Sequence, residues 1–516
     1  MENYFEIKDG VLIKYRGTDS NVTIPNGVTK IGDYAFSGCV SLKSISIPDS
    51  VTEICDGAFV GCALVNVTIP GSVSKIGNDA FGGCESLVGV TIFDGVTEIG
   101  SDAFEGCKSL ESVTIPVSVT KIGERAFRGC RISELSHPSI SIRNGLCING
   151  GIINYLANYA HSDVIIPDGI VEIGEAAFLN CLSLINVSIP DGVIKISNGA
   201  FEGCESLENL IIPETVMEIG DGAFSGCALK SISIPDSVTE ICEFAFYCCL
   251  SLTNVILPET VSVIGDSAFS DCESLNSISI PENVIEIGDG AFFSCKSLKS
   301  VTIPGSVTKI GNEAFGGCES LISITLSDGI TEIGSDAFEG CKSLENVTIP
   351  VSVTKIGDCA FKGCRISELS HPLINIRNGL CINEGILNYL ANYALTDVVI
   401  PDGVTEISDG AFQYCESLES VIIPESVRKI GNYAFNNCTS IVNLVIPNGV
   451  IEIGAYAFND CKSISSVTIP DSITKIGEGA FYDCKSLSCL VLSDNVKEIG
   501  VDVFSGCESL VCDRTL

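Results

Sequence analysis

Leu42-Lys43-Ser44-Ile45-Ser46-Ile47-Pro48-Asp49-Ser50-Val51-Thr52-Glu53-Ile54-Cys55-Asp56-Gly57-Ala58-Phe59-Val60-Gly61-Cys62 holds two hydrophobic periods in one short stretch. Ser44, Ile45, Ser46 and Ile47 alternate polar and apolar, as a half-buried strand does. Pro48 ends that strand, because proline has no N–H to give a ladder. Ala58, Phe59 and Cys62 then fall at near-helical spacing, so one turn of α- or 3₁₀-helix is expected to point all three inward on the opposite side.

The same stretch recurs along the chain. Nineteen phenylalanines from Phe36 to Phe504 are each followed three residues later by cysteine, almost always 23 residues apart. Of the nineteen strand ends, sixteen carry proline. A fixed period of this length, carried by aliphatic residues at constant offsets, marks a solenoid whose units bury one another's apolar edges. The expected body is one continuous solenoid, with strands on one face and short turns on the other.

The pattern Leu-x-x-Ile-x-Ile-Pro-x-x-Val-x-x-Ile-Gly-x-x-Ala-Phe-x-x-Cys resembles the BspA-like class of leucine-rich repeat over almost the whole chain. The resemblance implies an α/β repeat: a right-handed, curved solenoid with a concave parallel β-sheet and short helical or 3₁₀ turns on the convex side. It also implies a surface-displayed adhesin that binds cell-surface or extracellular-matrix proteins.

Twice the interval widens to 51 residues, between Phe127 and Phe178 and between Phe361 and Phe412. The two interruptions are near copies: Arg131-Ile132-Ser133-Glu134-Leu135-Ser136-His137-Pro138 matches Arg365-Ile366-Ser367-Glu368-Leu369-Ser370-His371-Pro372. Each continues through Asn-Gly into an apolar run, Gly151–Tyr155 or Gly385–Tyr389, read as a β-hairpin replacing the helical side of one unit. The start of the chain, Phe5 to Tyr15, has the same character and is expected to cap the first unit. The expected organisation is a cap at 1–25, repeats at 26–130, a hairpin unit at 131–167, repeats at 168–364, a hairpin unit at 365–401 and repeats at 402–516. Leu510-Val511-Cys512, shortly before Leu516, begins a further unit with no polar cap, so the expectation is either a fragment or an apolar end open to end-to-end association.

Composition narrows the function. With 65 acidic against 29 basic residues, the net charge is −36, and no basic stripe could follow a phosphate backbone, so nucleic acid is excluded as a partner. The opening Met1-Glu2-Asn3-Tyr4-Phe5-Glu6-Ile7 has no basic or apolar secretion signal, and no run of about 18 apolar residues occurs, so a soluble chain without membrane insertion is expected. Localisation therefore stays open between the cell surface that the resemblance implies and the cytoplasm. Nineteen of the 27 cysteines occupy the Phe-x-x-Cys position, where a small buried hydrophobe suffices. No Cys-x-x-Cys pair exists, and the remaining cysteines, Cys55 and Cys242 among them, lack zinc-ligand spacing. The only histidines are His137, His161 and His371, two of them copies of one element, and the glycines follow the repeat rather than a phosphate loop. No catalytic residue, cofactor or metal is expected, and the chain is read as a non-enzyme.

The residue before each Ile-Gly turn alternates in sign: Lys30, Glu53, Lys75, Glu98 and Lys121, then Glu172, Lys195 and Glu218, and, after an interruption at Glu240 and Val263, Glu286, Lys309, Glu332 and Lys355. Stacked units would set these side by side, guarding register against a slip of one unit. The residues pointing outward from the strands are the candidate binding surface. They are mostly uncharged, as at Ser277/Ser279, Ser300/Thr302, Ser323/Thr325 and Asn346/Thr348, then turn apolar at Val399, Ile422 and Val445. A protein ligand is expected, with a glycan as a second possibility. An intracellular interaction scaffold is the alternative to an adhesin, and ice or crystal-surface binding is more remote, because regular Thr-x-Thr pairs on a flat sheet are missing.

Overall fold

The computed structural model describes residues 4–510 of the 516-residue chain. Val511 and Cys512, and with them the proposed open C-terminal end, lie outside the described residues. The chain forms two compact units, Met1–Pro258 and Glu259–Leu516. Each is a stack of coils containing strands and turns, with no helix among the described residues.

The regular coils contribute to two parallel ladders, those at Ser277 and Asn443 joining the first through single bridges only. The first is built from three- or four-residue strands such as Asn66–Ile69 and Gly89–Ile92, paired Asn66↔Gly89 through Ile69↔Ile92. The second is built from two-residue strands such as Lys75–Ile76 and Glu98–Ile99, also in strict parallel register. In the first ladder one side chain points in and the next out, so Val67 and Ile69 are buried while Asn66 and Thr68 are exposed.

The expected helical turn is not formed, and the backbone bonds say why. Across Asp56 to Cys62 successive N–H groups alternate in their use. Ala58, Val60 and Cys62 donate back three residues, to Cys55, Gly57 and Phe59, at 3.0–3.3 Å. Gly57, Phe59 and Gly61 donate instead to Asn78, Ala80 and Gly82 of the next coil at 2.7–2.8 Å. A helix would need every donor for its own i→i−4 bonds. Gly57 and Gly61, at φ +60° and +68°, also turn left-handed every fourth residue, which no right-handed helix tolerates. The third side of the coil is therefore a chain of tight turns that is itself hydrogen-bonded to its neighbour.

The core is a column of stacked phenylalanines. In the first unit Phe36, Phe59, Phe81, Phe104 and Phe127 are completely buried, with ring centroids 5.0–5.4 Å apart and planes within 15° of parallel. In the second unit Phe292, Phe315, Phe338 and Phe361 repeat this at 5.1–5.6 Å. The cysteine three residues on is also buried, except at the half-buried Cys39 and Cys507, and its thiol does more than fill space. Cys84 Sγ donates to the Phe59 carbonyl at 3.2 Å and Cys318 Sγ to that of Phe292 at 3.2 Å, one coil back.

The interruptions are larger than one hairpin. Leu135–His137, Ile140–Arg143, Leu146–Asn149 and Ile152–Leu156 form a four-stranded antiparallel meander, and the last strand rejoins the two-residue ladder by pairing parallel with Glu172–Ile173. Glu368–His371, Ile374–Arg377, Leu380–Asn383 and Ile386–Leu390 repeat it in the second unit. At the start, Phe5–Lys8 and Val11–Tyr15 make a hairpin whose second strand pairs with Lys30–Ile31, and Tyr15 stacks on Phe36 at 5.1 Å.

Candidate functional site

The outward face of the longer strands is formed because each strand buries only its alternate residues. In the second unit Ser300–Ile303, Ser323–Leu326 and Asn346–Thr348 pair in register, so Ser300, Ser323 and Asn346 form one outward row and Thr302, Thr325 and Thr348 another. These six, with Ser277 and Ser279, are all exposed. Ser277, Ser279, Ser300 and Thr302 line a shallow depression of about 270 Å³.

Beyond the second meander the same rows change character. Asp397–Val399 pairs with Ser420–Ile422, which sets Val399 directly beside Ile422. Val445 lies on the following coil, joined through the Ser420↔Asn443 bridge. Val399, Ile422 and Val445 are 63%, 60% and 74% exposed, so three branched aliphatic side chains stand in water on consecutive coils. At the head of the neighbouring row, Asp397 accepts hydrogen bonds from Ser420 at 2.8 Å and Thr396 at 2.9 Å, which together hold its carboxyl below the ordinary range.

The first unit carries an equivalent patch that the sequence reading missed. Asp163–Ile165, Asn186–Ser188 and Asn209–Ile211 pair in register, with Ile165 71% and Ile211 82% exposed and Ser188 between them. Asp163 again heads the polar row, accepting from Ser162 at 2.7 Å and Asn186 at 2.6 Å, and its carboxyl is likewise held low. Ile256, paired beside Ser233, continues the row. The signal was available: Ile165 and Val399 occupy the same place after the two copied interruptions.

The charged row lies on the two-residue strands. Lys30 meets Glu53 at 2.5 Å, Lys121 meets Glu98 at 2.7 Å, Lys309 meets Glu286 at 2.7 Å and Lys429 meets Glu406 at 2.7 Å, with Lys355 likewise paired to Glu332. These charges satisfy one another across coils.

One cluster has ligand-type side chains close together. Asp79, Asp102 and Glu105 bring carboxylate oxygens within 4.8 Å of each other on the turn side. Burial and the neighbouring Asp102 charge raise the Asp79 carboxyl, while Arg125 takes both Asp102 oxygens at 3.0 and 3.1 Å. The cluster is thus matched by an internal cation. His137 is engaged with the Pro116 carbonyl at 3.1 Å and the Ser139 N–H at 3.1 Å inside the first meander. Among the described residues no helix is long and apolar enough to cross a membrane.

The chain matches the BspA type leucine-rich repeat region over residues 14–135, 154–249, 239–368 and 387–511. Among solved structures it is similar to a leucine-rich repeat protein from Bacteroides ovatus, at 24% identity over 97% of both chains with a TM-score of 0.29. It is similar as well to a leucine-rich cell surface protein from Faecalibacterium prausnitzii, at 23% identity over 99% of this chain and 93% of that one, TM-score 0.28. A leucine-rich repeat protein from T. pallidum is 30% identical over 41% of this chain and 80% of its own, TM-score 0.28. No curated protein is detectably similar. With the repeat pattern matched over most of its length and the stacked parallel coils that carry it, this chain belongs to the BspA-type leucine-rich repeat family.

Proposed function

We propose that this protein is a non-catalytic binding solenoid of the adhesin type, which captures a cell-surface or extracellular-matrix protein on the outward face of its longer strands. The observation that carries the reading is the patch of exposed branched aliphatic residues following each meander: Ile165 and Ile211 in one unit, and Val399, Ile422 and Val445 in the other. Apolar side chains held on a rigid ladder lose little entropy on contact, and exposed patches of this kind mark docking surfaces. The flanking Ser277, Ser279, Ser300, Thr302, Ser323, Thr325, Asn346 and Thr348 supply hydrogen-bonding groups without charge to desolvate. Membership of a leucine-rich repeat family supports protein binding of this kind.

The test is capture of matrix and cell-surface proteins by the native chain and by an Ile422→Lys/Val445→Lys variant. Loss of capture with unchanged thermal unfolding is the expected result; unchanged capture removes this patch as the site. An intracellular scaffold would use the same surface, and accessibility of the protein to an impermeant label on intact source cells separates the two.

A further inference from the structure

Each meander leaves the two-residue ladder open on the coil before it. In a regular pair of coils the second supplies a fixed set of bonds to the first. Thr331 and Glu332 N–H both donate to the Thr308 carbonyl, at 2.9 and 3.1 Å, and Gly334 N–H donates to that of Ile310 at 2.9 Å. Ser335 N–H donates to the Asn312 side chain at 2.9 Å, and the Ser335 carbonyl accepts from Glu313 N–H at 2.8 Å. On the coil before the second meander the matching groups are the Thr354 and Ile356 carbonyls, the Asp358 carboxylate and the Cys359 N–H. Among the described residues none of these has a hydrogen-bond partner. Before the first meander the Thr120 and Ile122 carbonyls and the Arg125 N–H are open in the same way.

Packing reports the same gap. The isoleucine of the two-residue strand is fully covered in the preceding coils, as at Ile76, Ile99, Ile310 and Ile333, yet Ile122 and Ile356 are only half-buried. Beside them lie two cavities of about 590 and 550 Å³. The first is lined by Ile122, Arg125, Ile152 and Tyr155 with the carboxylates Glu124, Glu172 and Glu175, the second by Ile356, Cys359, Ile386 and Tyr389 with Asp358, Glu406 and Asp409; Lys121 and Lys355 flank these walls through the neighbouring Ile122 and Ile356. In the second the Tyr389 side chain is 97% buried, since only 3% is exposed, and its hydroxyl has no nitrogen or oxygen partner. The sign of the missing neighbour is set as well. Lys121 and Lys355 are each bonded to glutamate on one side, Glu98 and Glu332, and on the other the next position of the alternating row is vacant.

We propose that each cavity binds an extended segment of a partner polypeptide, about six residues long, added in parallel to the open edge as a substitute coil. Unpaired strand edges are templates for such addition. The segment carries an acidic residue beside Lys121 or Lys355. A branched aliphatic residue follows to cover Ile122 or Ile356, and then a small residue, as in the Thr-Glu-Ile-Gly that fills this place in regular coils. This site is separate from the outward strand face and does not depend on it.

The probe is a fluorescent peptide of sequence Ile-Thr-Glu-Ile-Gly-Ser-Asp, that of residues 330–336, titrated into the full chain. Saturable binding with two peptides per chain is expected. Lys121→Gln should weaken one site, by less than the charge reversal does, and leave the other unchanged. Lys121→Glu/Lys355→Glu should weaken both about tenfold, and a peptide with lysine in place of its glutamate should regain affinity for that variant. Ile422→Lys/Val445→Lys, which tests the outward face, should leave peptide affinity unchanged. No saturable binding, equal binding of a scrambled peptide, or indifference to the charge exchange in a variant with native thermal unfolding overturns the proposal.

Discussion

Phe315→Ala tests the stacked column directly. Phe315 is completely buried, and both faces of its ring are covered, by Phe292 at 5.1 Å and Phe338 at 5.6 Å. Truncating a buried phenylalanine costs about 3–5 kcal/mol, and a ring stacked on both faces belongs at the upper end of that range. Phe315→Leu keeps most of the volume and loses the two ring contacts, so about 1–3 kcal/mol is expected. Because coils contact chiefly their neighbours, the loss should be local. The assay is therefore amide hydrogen exchange resolved by segment rather than one global melting curve, which repeat arrays need not obey. Protection should fall in the coils around Phe292, Phe315 and Phe338 and stay unchanged around Phe36 to Phe104. A Phe315→Leu variant as stable as the native chain, beside a destabilised Phe315→Ala, would show that volume alone matters and that the parallel rings contribute nothing. A loss spread evenly over the chain would refute the nearest-neighbour reasoning.

Burial raises Cys84 and Cys249 to about 12 and Cys147 and Cys381 to about 11. An unfolded thiol ionises near 8.5, so above about pH 8.5 the unfolded chain holds fewer protons than the native one. The stability these thiols contribute is complete below that pH and is lost as pH rises toward 11–12, by up to about 1.4 kcal/mol per pH unit for each thiol; urea unfolding midpoints at pH 7 and 10 would check the decline. Thiol labelling of the native protein should reach exposed Cys489 well before buried Cys318, whose reaction should wait for unfolding. Lys309→Glu sets like charges beside Glu286 and Glu332 and should cost about 0.5–1 kcal/mol, less at high salt, by urea titration.

Much of the fold could be read from the chain because the repeat imposes the same demand at every coil. The inward set of Leu, Ile, Val, Ala-Phe and Cys needed no structure, nor did the parallel pairing behind Lys30 and Glu53. The helical turn was misread because Ala58, Phe59 and Cys62 have helical spacing, and spacing reports which side chains point inward, not where N–H groups go. The alternating destinations of Gly57, Ala58 and Phe59 donors depend on a neighbouring coil that no local pattern displays. A cue did exist, since glycine, aspartate or asparagine recurs where the backbone turns left-handed, as at Gly57, Asp79 and Asp102. The meanders were read as single hairpins because Pro138 and Pro372 break the apolar run between the first two strands. The outward patch at Val399 and Ile422 was visible as a change of residue type, whereas Ile165 and Ile211 were diluted by Ser188. The open edges beside Lys121 and Lys355 could not be seen at all, because an unused carbonyl leaves no mark in sequence.

The alternating lysines and glutamates also constrain how such a chain can change length. Gaining or losing one coil inside the run from Lys30 to Lys121 sets two like charges side by side, whereas gaining or losing two preserves every pair. Inside an unbroken run the increment that keeps every pair is thus a doublet of coils, although the packing unit is one. The nine repeats that begin with Glu172 and end with Lys355 cannot alternate throughout, since an odd count must start and finish on the same sign. The phase slips between Glu218 and Glu240, two like charges on consecutive positions of the row, and Val263 follows where the next lysine would stand. Insertions within runs of unbroken alternation should therefore be even-numbered, and odd ones should coincide with a break such as the adjacent Glu218 and Glu240.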